Sequence, residues 1–220
     1  MSPAYAAAVF DLDGTLLDSY AAIHDCLNHV LVAFGSPPVA PEETRRMVGH
    51  GLDALLRQAL GEERRVRAVA LFRERYAVVG PGKTTLMPWA DEVTDALSRS
   101  GIPMAVASNK PAEFSRQLLD ELGVLHRFSA VAGPGDGIPP KPEPEMVFRL
   151  VRALGVLPAE ALMAGDMDVD VETARRAGLP VAVVPGGSCS RDELARARPD
   201  HLLEDLRGLL PLFGIPVRGG

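Results

Sequence analysis

Two acidic residues stand at the end of the first apolar run of the chain. The run AAAVF, residues 6–10, leads into Asp11, and Asp13 follows two positions later, just before Gly14. Side chains two apart in an extended segment face the same way, and glycine permits a sharp turn. Carboxylates beside buried apolar residues are costly unless a cation or a proton compensates them. The pair therefore predicts a site that holds a cation or a proton.

Two other segments place polar side chains where they can meet an anion. In VASNKP, Ser108 and Asn109 follow an apolar run and precede a predicted helix. A hydroxyl at a helix N-terminus can hold a phosphate group, although it can also simply cap the helix. In PPKPEPE, prolines on both sides keep the backbone of Lys141 extended. Taken alone, such a lysine is usually solvated.

A second acidic pair lies near the end of another apolar run. Asp166 and Asp170 occur in AGDMDVDVETARRAG, with a predicted helix running on from about Val169. Together with the first pair they offer only oxygen ligands, which suit Mg²⁺ better than zinc. Asp168 is an additional acid in this segment, and no role is assigned to it.

Short apolar runs alternate with helical patterns along most of the chain. Each run is bounded by Gly, Pro, Asn or Asp, as expected of strands buried on both faces. The runs are residues 6–10, 104–107, 130–132, 162–164 and 181–184. The alternation predicts an α/β fold with a doubly wound parallel sheet. Ligands bind such sheets beyond the carboxyl ends of the strands, so one site can collect Asp11, Ser108 and Asp166.

The four polar segments resemble, in order and across residues 10–178, the sequence motifs of the haloacid dehalogenase superfamily. This resemblance implies a Rossmann-like doubly wound core with an inserted α-helical cap. It makes Asp11 the nucleophile and a Mg²⁺ ligand, and Asp13 the general acid and base, with its backbone carbonyl also on the metal.

The same resemblance gives roles to the remaining motif residues. Ser108 and Lys141 would contact the phosphoryl group as catalytic residues, and Leu12, through its backbone, and Asn109 would help bind it. Asp166 would be a side-chain metal ligand. Asp170 would act on the metal indirectly, behind the direct ligands or through water.

Residues 19–76 interrupt the alternation, because they show helical patterns and no obvious strand. We expect a cap domain at residues 18–82 and a core formed by residues 1–17 and 83–220. Within the cap, VGHGLDALLRQAL is similar to the cap loop of phosphoglycolate phosphatases, so Arg45 and His50 are candidate substrate-binding residues. A loop that only connects two helices remains an equal alternative at this point.

The resemblance implies a Mg²⁺-dependent phosphate monoester hydrolase that forms an aspartyl phosphate and acts on a small phosphorylated metabolite such as 2-phosphoglycolate. Within the superfamily, the alternatives are a phosphosugar mutase similar to β-phosphoglucomutase, a sugar-phosphate phosphatase or a pyrophosphatase. A catalytically silent binding protein is the alternative from another class. It would be expected to lack a key acid or Lys141, whereas this sequence has them all.

Composition narrows the class of protein further. The chain has 220 residues, 47% hydrophobic and 24% charged, and a net charge of −6, which gives no reason to expect nucleic-acid binding. No stretch approaches the ~20 apolar residues of a membrane span. Cys26 and Cys189 lie far apart and suggest buried thiols in a reducing compartment. We therefore expect a cytoplasmic monomer or homodimer with no membrane partner.

Overall fold

The computed structural model describes residues 4–135 and 137–217. The outermost residues of the predicted core, 1–3 and 218–220, lie outside this range, as does residue 136. Eight strands are assigned in the described residues. They are β1 (Ala7–Phe10), β2 (Leu17–Asp18), β3 (Thr85–Leu86), β4 (Met104–Ala107), β5 (Ala130–Ala132), β6 (Ala161–Gly165), β7 (Val181–Val183) and β8 (His201–Leu202).

Six of these strands form one parallel sheet in the order β5-β4-β1-β6-β7-β8. The chain builds outward from β1 to β5 on one side and then returns to build β6, β7 and β8 on the other. At the carboxyl end of β1, Phe10 lies beside Val106 of β4 and Ala164 of β6. The residues that follow these three strands therefore meet at one edge of the sheet, where open α/β sheets bind ligands.

Alternation along β1 explains why the sheet needs helices on both faces. Ala8 and Phe10 pack into one hydrophobic cluster, whereas Ala7 and Val9 pack into a second cluster on the opposite face. All four are at most 1% exposed. A central parallel strand thus reads as a continuous apolar run. The prediction of a doubly wound α/β fold is confirmed.

Nine α-helices are assigned in the same residues. They are α1 (Tyr20–Ala33), α2 (Pro41–Met47), α3 (Leu52–Leu60), α4 (Arg65–Val79), α5 (Ala90–Arg99), α6 (Ala112–Glu121), α7 (Glu145–Leu154), α8 (Asp168–Ala177) and α9 (Arg191–Ala197). The first four lie between β2 and β3, and the other five connect or flank the strands of the sheet. None of the helices in the described residues is long and apolar enough to cross a bilayer.

The helical insertion leaves and re-enters the core through paired strands. Leu17 and Asp18 of β2 pair antiparallel with Leu86 and Thr85 of β3. This pairing was not predicted, because two-residue strands carry no readable hydrophobic period. Helices α1 to α4 all lie inside residues 18–82, and the division into domains at those residues stays a prediction.

Candidate active site

Three carboxylates converge at the carboxyl edge of the sheet. Asp11 directly follows β1, Asp166 directly follows β6, and Asp170 lies in the first turn of α8. One carboxylate oxygen from each of the three lies within 4.8 Å of the others. All three residues are buried, with exposures of 7%, 0% and 0%. Buried carboxylates this close repel one another unless a cation or a proton compensates their charge.

Lys141 supplies part of that positive charge. Its Nζ donates to Oδ1 of Asp11 at 2.6 Å and to Oδ1 of Asp170 at 2.7 Å, and its side chain is 2% exposed. Burial would lower the pKa of Lys141, but the two carboxylates outweigh burial and hold it above its usual value. Burial also raises the pKa of Asp11 to about 7, against the opposing effect of Lys141. The lysine therefore stays charged beside an aspartate that a further cation would ionise fully.

Asp166 is held in place by donors from two separate loops. Its Oδ1 accepts from the hydroxyl of Thr15 at 3.0 Å, and its Oδ2 accepts from the backbone N–H of Ser188 at 2.8 Å. Burial, reinforced by Asp11 and Asp170, raises its pKa well above the usual value. A rigidly held but electrostatically strained carboxylate of this kind is typical of a metal ligand.

Asp170 uses both of its oxygens within the protein. Oδ1 accepts from Lys141, and Oδ2 accepts from the backbone N–H groups of Asp166 and Met167 at 3.2 and 3.1 Å. It therefore orients the lysine and the segment that carries Asp166. Asp168, by contrast, is exposed and caps the N–H of Val169 at 2.8 Å.

Lys110 is a buried cation of the site for which sequence reasoning found no role. Its Nζ donates to both carboxylate oxygens of Asp13, each at 2.9 Å, and its side chain is 6% exposed. Ser19 also donates to Asp13. The ionised side chains of the site give a formal charge of −2. They are Asp11, Asp13, Asp166 and Asp170, with Lys110 and Lys141 as the two cations. One divalent cation would cancel this charge while Asp13 is ionised.

The loop after β4 ties the site together. The side-chain amide of Asn109 donates to the backbone carbonyl of Lys141 at 3.1 Å and accepts from its N–H at 2.7 Å. The same amide donates to the carbonyl of Gly49, in the helical insertion, at 3.0 Å. Ser108 is 2% exposed, and its Oγ accepts from the N–H of Lys110 at 3.1 Å. Asn109 thus joins three segments of the chain, and a contact with substrate stays a prediction.

Comparison with known proteins identifies the family of this chain. A sequence model of the haloacid dehalogenase-like hydrolase family matches residues 8–184. The chain belongs to this family. It is 35% identical over 219 residues to phosphoglycolate phosphatase 1 of Pseudomonas aeruginosa, covering 92% of this chain and 78% of that protein. It is 30% identical over 231 residues to phosphoglycolate phosphatase of Salmonella typhimurium, covering 94% and 92%.

Solved structures of similar proteins share the whole fold. A predicted phosphoglycolate phosphatase from Haemophilus somnus matches with a TM-score of 0.86 and 26% identity, covering 94% of this chain and 97% of the other. CbbY from Rhodobacter sphaeroides, solved in complex with phosphate, matches with a TM-score of 0.81 and 25% identity, covering 96% and 100%. The predicted membership of the haloacid dehalogenase superfamily is confirmed, and with it the prediction of a phosphoric monoester hydrolase.

The two candidate residues of the helical insertion lie in different surroundings. Nη1 of Arg45 donates to the backbone carbonyls of Gly186 and Gly187 at 2.9 and 3.1 Å, and its guanidinium lies 4.1 Å from the ring centroid of Tyr20. His50 is exposed, at the tip of the turn between α2 and α3. Neither lines the cavity beside Asp11, so direct substrate contact by either residue stays a prediction.

The turn around His50 packs tightly onto the core of this haloacid dehalogenase-like hydrolase. Gly49 has a φ of +124°, and a Cβ there would lie 2.0 Å from Sδ of Met167. A Cβ on Gly51 would lie 3.3 Å from the carbonyl of Asn109. The Gly-His-Gly pattern is therefore explained by close packing between the insertion and the core.

A cavity of about 60 Å³ lies between the acids and the helical insertion. Asp11, Asp13 and the loop after β4 form its polar wall. The opposite wall is mostly apolar and comes from α1, α3, α4 and the turn before α3. Its lining residues include Ile23, Val48, Leu52, Leu55, Phe72 and Tyr76, and Phe114 of α6 also lines the cavity from the core. Such a space holds roughly four water molecules, which suits a small leaving group.

Proposed function

We propose that this protein is a Mg²⁺-dependent phosphatase that forms an aspartyl phosphate on Asp11 and acts on a small phosphorylated metabolite, with 2-phosphoglycolate as the preferred substrate. The observation that carries the proposal is the buried Asp11 carboxylate, which Lys141 contacts at 2.6 Å and which two other acids approach within 4.8 Å. The curated relatives described above, both phosphoglycolate phosphatases by name, support the choice of substrate.

The donor set fits magnesium. Asp11 and Asp166 would hold the ion through their side chains, and Asp13 through its backbone carbonyl. Asp170 would not bind the ion directly but would act through the direct ligands or through a water molecule. These are oxygen donors only, as hard cations prefer, and the formal charge of −2 calls for a divalent ion. When bound, Mg²⁺ would supply charge neutralisation at the phosphoryl oxygens.

In the first half of the reaction, an oxygen of Asp11 attacks phosphorus in line with the ester oxygen. The bond between Asp11 and phosphorus forms as the ester bond to the leaving alcohol breaks. Asp13, in its protonated form, gives its proton to the leaving oxygen. Lys141 and Ser108 donate hydrogen bonds that balance the charge developing on the phosphoryl group.

In the second half, water attacks the phosphorus of the aspartyl phosphate. Asp13, now ionised and beside Lys110, removes the proton from this water. The bond between phosphorus and Asp11 breaks, inorganic phosphate leaves, and the Asp11 carboxylate is restored. Nucleophilic catalysis of this kind divides one difficult hydrolysis into two easier transfers.

We also infer that residues 18–82 act as a cap over this reaction. The apolar wall of the cavity comes largely from these residues and keeps bulk water away from the reacting groups. Arg45 contributes by holding α2 against the loop that carries Gly186 and Gly187. Opening and closing of such a segment would control substrate entry and product release.

The test is phosphate release from a panel of small phosphate esters, with Mg²⁺ and with EDTA. We expect turnover of 2-phosphoglycolate that EDTA abolishes and that Asp11→Asn lowers at least about 1,000-fold, since the nucleophile is lost. Asp168→Asn is the matched control, because Asp168 is exposed and lies outside the carboxylate cluster. Equal turnover by wild type and Asp11→Asn would refute the mechanism, and no turnover of any ester would refute the function.

A further inference from the structure

The reaction described above does not explain all the contacts of the Lys110 ammonium group. Lys110 lines the cavity, and both of the well-formed hydrogen bonds described for its ammonium go to Asp13, while Tyr76 is a close polar neighbour that also raises its pKa. An ammonium carries three N–H donors, so one remains after these two bonds. Nζ lies 4.8 Å from the ring centroid of Tyr76, on α4 of the helical insertion. A buried donor without a well-formed acceptor favours a hydrogen-bond acceptor in the cavity at this point.

Tyr76 provides an independent observation at the same place. It is 2% exposed, and its hydroxyl makes no well-formed hydrogen bond within the part of the chain that the structure describes, although Lys110 and Thr84 lie close enough to influence its pKa. Leaving a buried hydroxyl unpaired costs about 1–3 kcal/mol, and most such groups in folded proteins find a partner. Tyr76 lines the cavity beside Lys110, so a ligand in the cavity can supply the missing acceptor.

The rest of this wall favours a small acid over a sugar. Around Tyr76, the described lining side chains of the insertion are apolar or glycine, including Ile23, Leu55 and Phe72. A sugar would bury hydroxyls here without partners, at about 1–3 kcal/mol for each group. A carboxylate would instead meet one ammonium and one phenol, in a low-dielectric setting that strengthens both contacts.

We propose that Lys110 and Tyr76 bind a carboxylate on the leaving group, so that the substrates are phosphate esters of short 2-hydroxy acids. This proposal rests on the phosphatase function stated above and assigns the residues that select the substrate. Since Lys110 contacts both oxygens of Asp13, a carboxylate on the remaining N–H lies next to the acid that protonates the ester oxygen. A short acid, with its carboxylate on the carbon bearing the ester oxygen, brings its two polar groups equally close together.

The experiment compares two substrates that differ in this one group. One is 2-phosphoglycolate, and the other is 2-hydroxyethyl phosphate, in which an uncharged alcohol replaces the carboxylate. The readout is the specificity ratio, defined as kcat/KM with the first substrate divided by kcat/KM with the second. We expect Lys110→Met to lower this ratio roughly 10- to 100-fold, since it removes a hydrogen bond to a charged group.

Two further variants separate the contributions of charge and of the phenol. Tyr76→Phe, which leaves the contact between Lys110 and Asp13 intact, lowers the specificity ratio roughly 3- to 10-fold. Lys110→Arg, which keeps the charge, retains most of the ratio. Lys83→Met is the matched control, because Lys83 is a half-exposed lysine paired with Asp25 away from the cavity, and its ratio stays at the wild-type value.

Circular dichroism shows whether each variant is folded. If Lys110→Met slows both substrates equally, Lys110 serves Asp13 alone and the proposal is wrong. An unchanged ratio in Tyr76→Phe would overturn the role of Tyr76 even if Lys110→Met does not fold. Phosphate release from neither substrate by wild type would refute the phosphatase function itself, and this proposal with it.

Discussion

Replacing Lys141 with methionine should destabilise the metal-free protein strongly. Methionine keeps most of the side-chain volume but removes the ammonium that lies 2.6 Å from Asp11 and 2.7 Å from Asp170. Removing one partner of a buried ion pair costs about 3–5 kcal/mol, because the remaining charge stays buried without compensation. For a chain of this size the midpoint of thermal unfolding falls by about 2–4 °C for each kcal/mol, which gives a loss of roughly 6–20 °C.

The loss should also depend on pH. The folded-state pKa of Asp11 is raised to about 7 by burial, and Lys141 opposes that rise. A carboxyl with a raised pKa favours the folded state at low pH, and this contribution is lost as the pH rises through 7. Without Lys141 the pKa of Asp11 rises further, so protonation can neutralise the carboxylate in mildly acidic buffer. The destabilisation should therefore be larger at pH 8 than at pH 5.5.

Thermal unfolding followed by circular dichroism in EDTA measures both effects, because no bound cation can then replace the lysine. Lys83→Met is the control, since its partly exposed ion pair with Asp25 is worth about 0–1 kcal/mol. A Lys141→Met midpoint within the control's range at pH 8 would refute the electrostatic reasoning. A larger loss at pH 5.5 than at pH 8 would refute the assigned direction of the pKa shift.

Three other predictions concern the metal site and the helical insertion. Mg²⁺ should raise the midpoint of thermal unfolding more at pH 8 than at pH 6. Burial raises the pKa values of Asp11 and Asp166, so protons compete with the cation at the lower pH. Equal shifts at the two pH values would contradict this. Gly187→Ala should abolish the Mg²⁺-induced shift while the circular dichroism spectrum is retained, since a Cβ there would lie 1.8 Å from Oδ2 of Asp166; an undiminished shift would count against the site. Arg45→Gln should make the insertion more susceptible to trypsin under native conditions, because it weakens the bonds to the carbonyl groups of residues 186 and 187; unchanged cleavage would show that these bonds do not hold it.

The central strands were predictable because their environment imposes a simple pattern. β4 is Met104–Ala107 and β5 is Ala130–Ala132, as the apolar runs predicted, since both are covered on two faces. β2, β3 and β8 have two residues each, and nothing in so short a segment marks it as a strand. Their existence depends on pairing with distant segments, which a local pattern does not report.

The convergence of Asp11 and Asp166 at one edge of the sheet was also predictable, whereas the partner of Asp13 was not. Lys110 lies within VASNKP, where sequence reasoning considered only Ser108 and Asn109. Composition offered one signal. The chain has only three lysines, and two of them lie inside the polar motifs: Lys110 in VASNKP and Lys141 in PPKPEPE. Which carboxylate an ammonium meets is decided by tertiary packing, here of the loop after β4 against the turn after β1.

The insertion shows the same limit. The sequence indicated helices between residues 19 and 76 and singled out Arg45 and the turn at His50. In the structure, the Arg45 guanidinium donates hydrogen bonds to backbone carbonyls of the core. The glycines on either side of His50 are required by close packing against the core. The pattern thus located a contact between insertion and core, but it could not separate a residue that contacts substrate from one that holds the two parts together.

The most direct test of the central claim is to trap the aspartyl phosphate. Wild type is mixed with 2-phosphoglycolate and Mg²⁺, quenched in acid during turnover, digested and analysed by mass spectrometry. The account predicts one added phosphoryl group on the peptide that contains Asp11, and none in Asp11→Asn. Full turnover with no phosphorylated peptide at any quench time, or a phosphoryl group on a different residue, would contradict it.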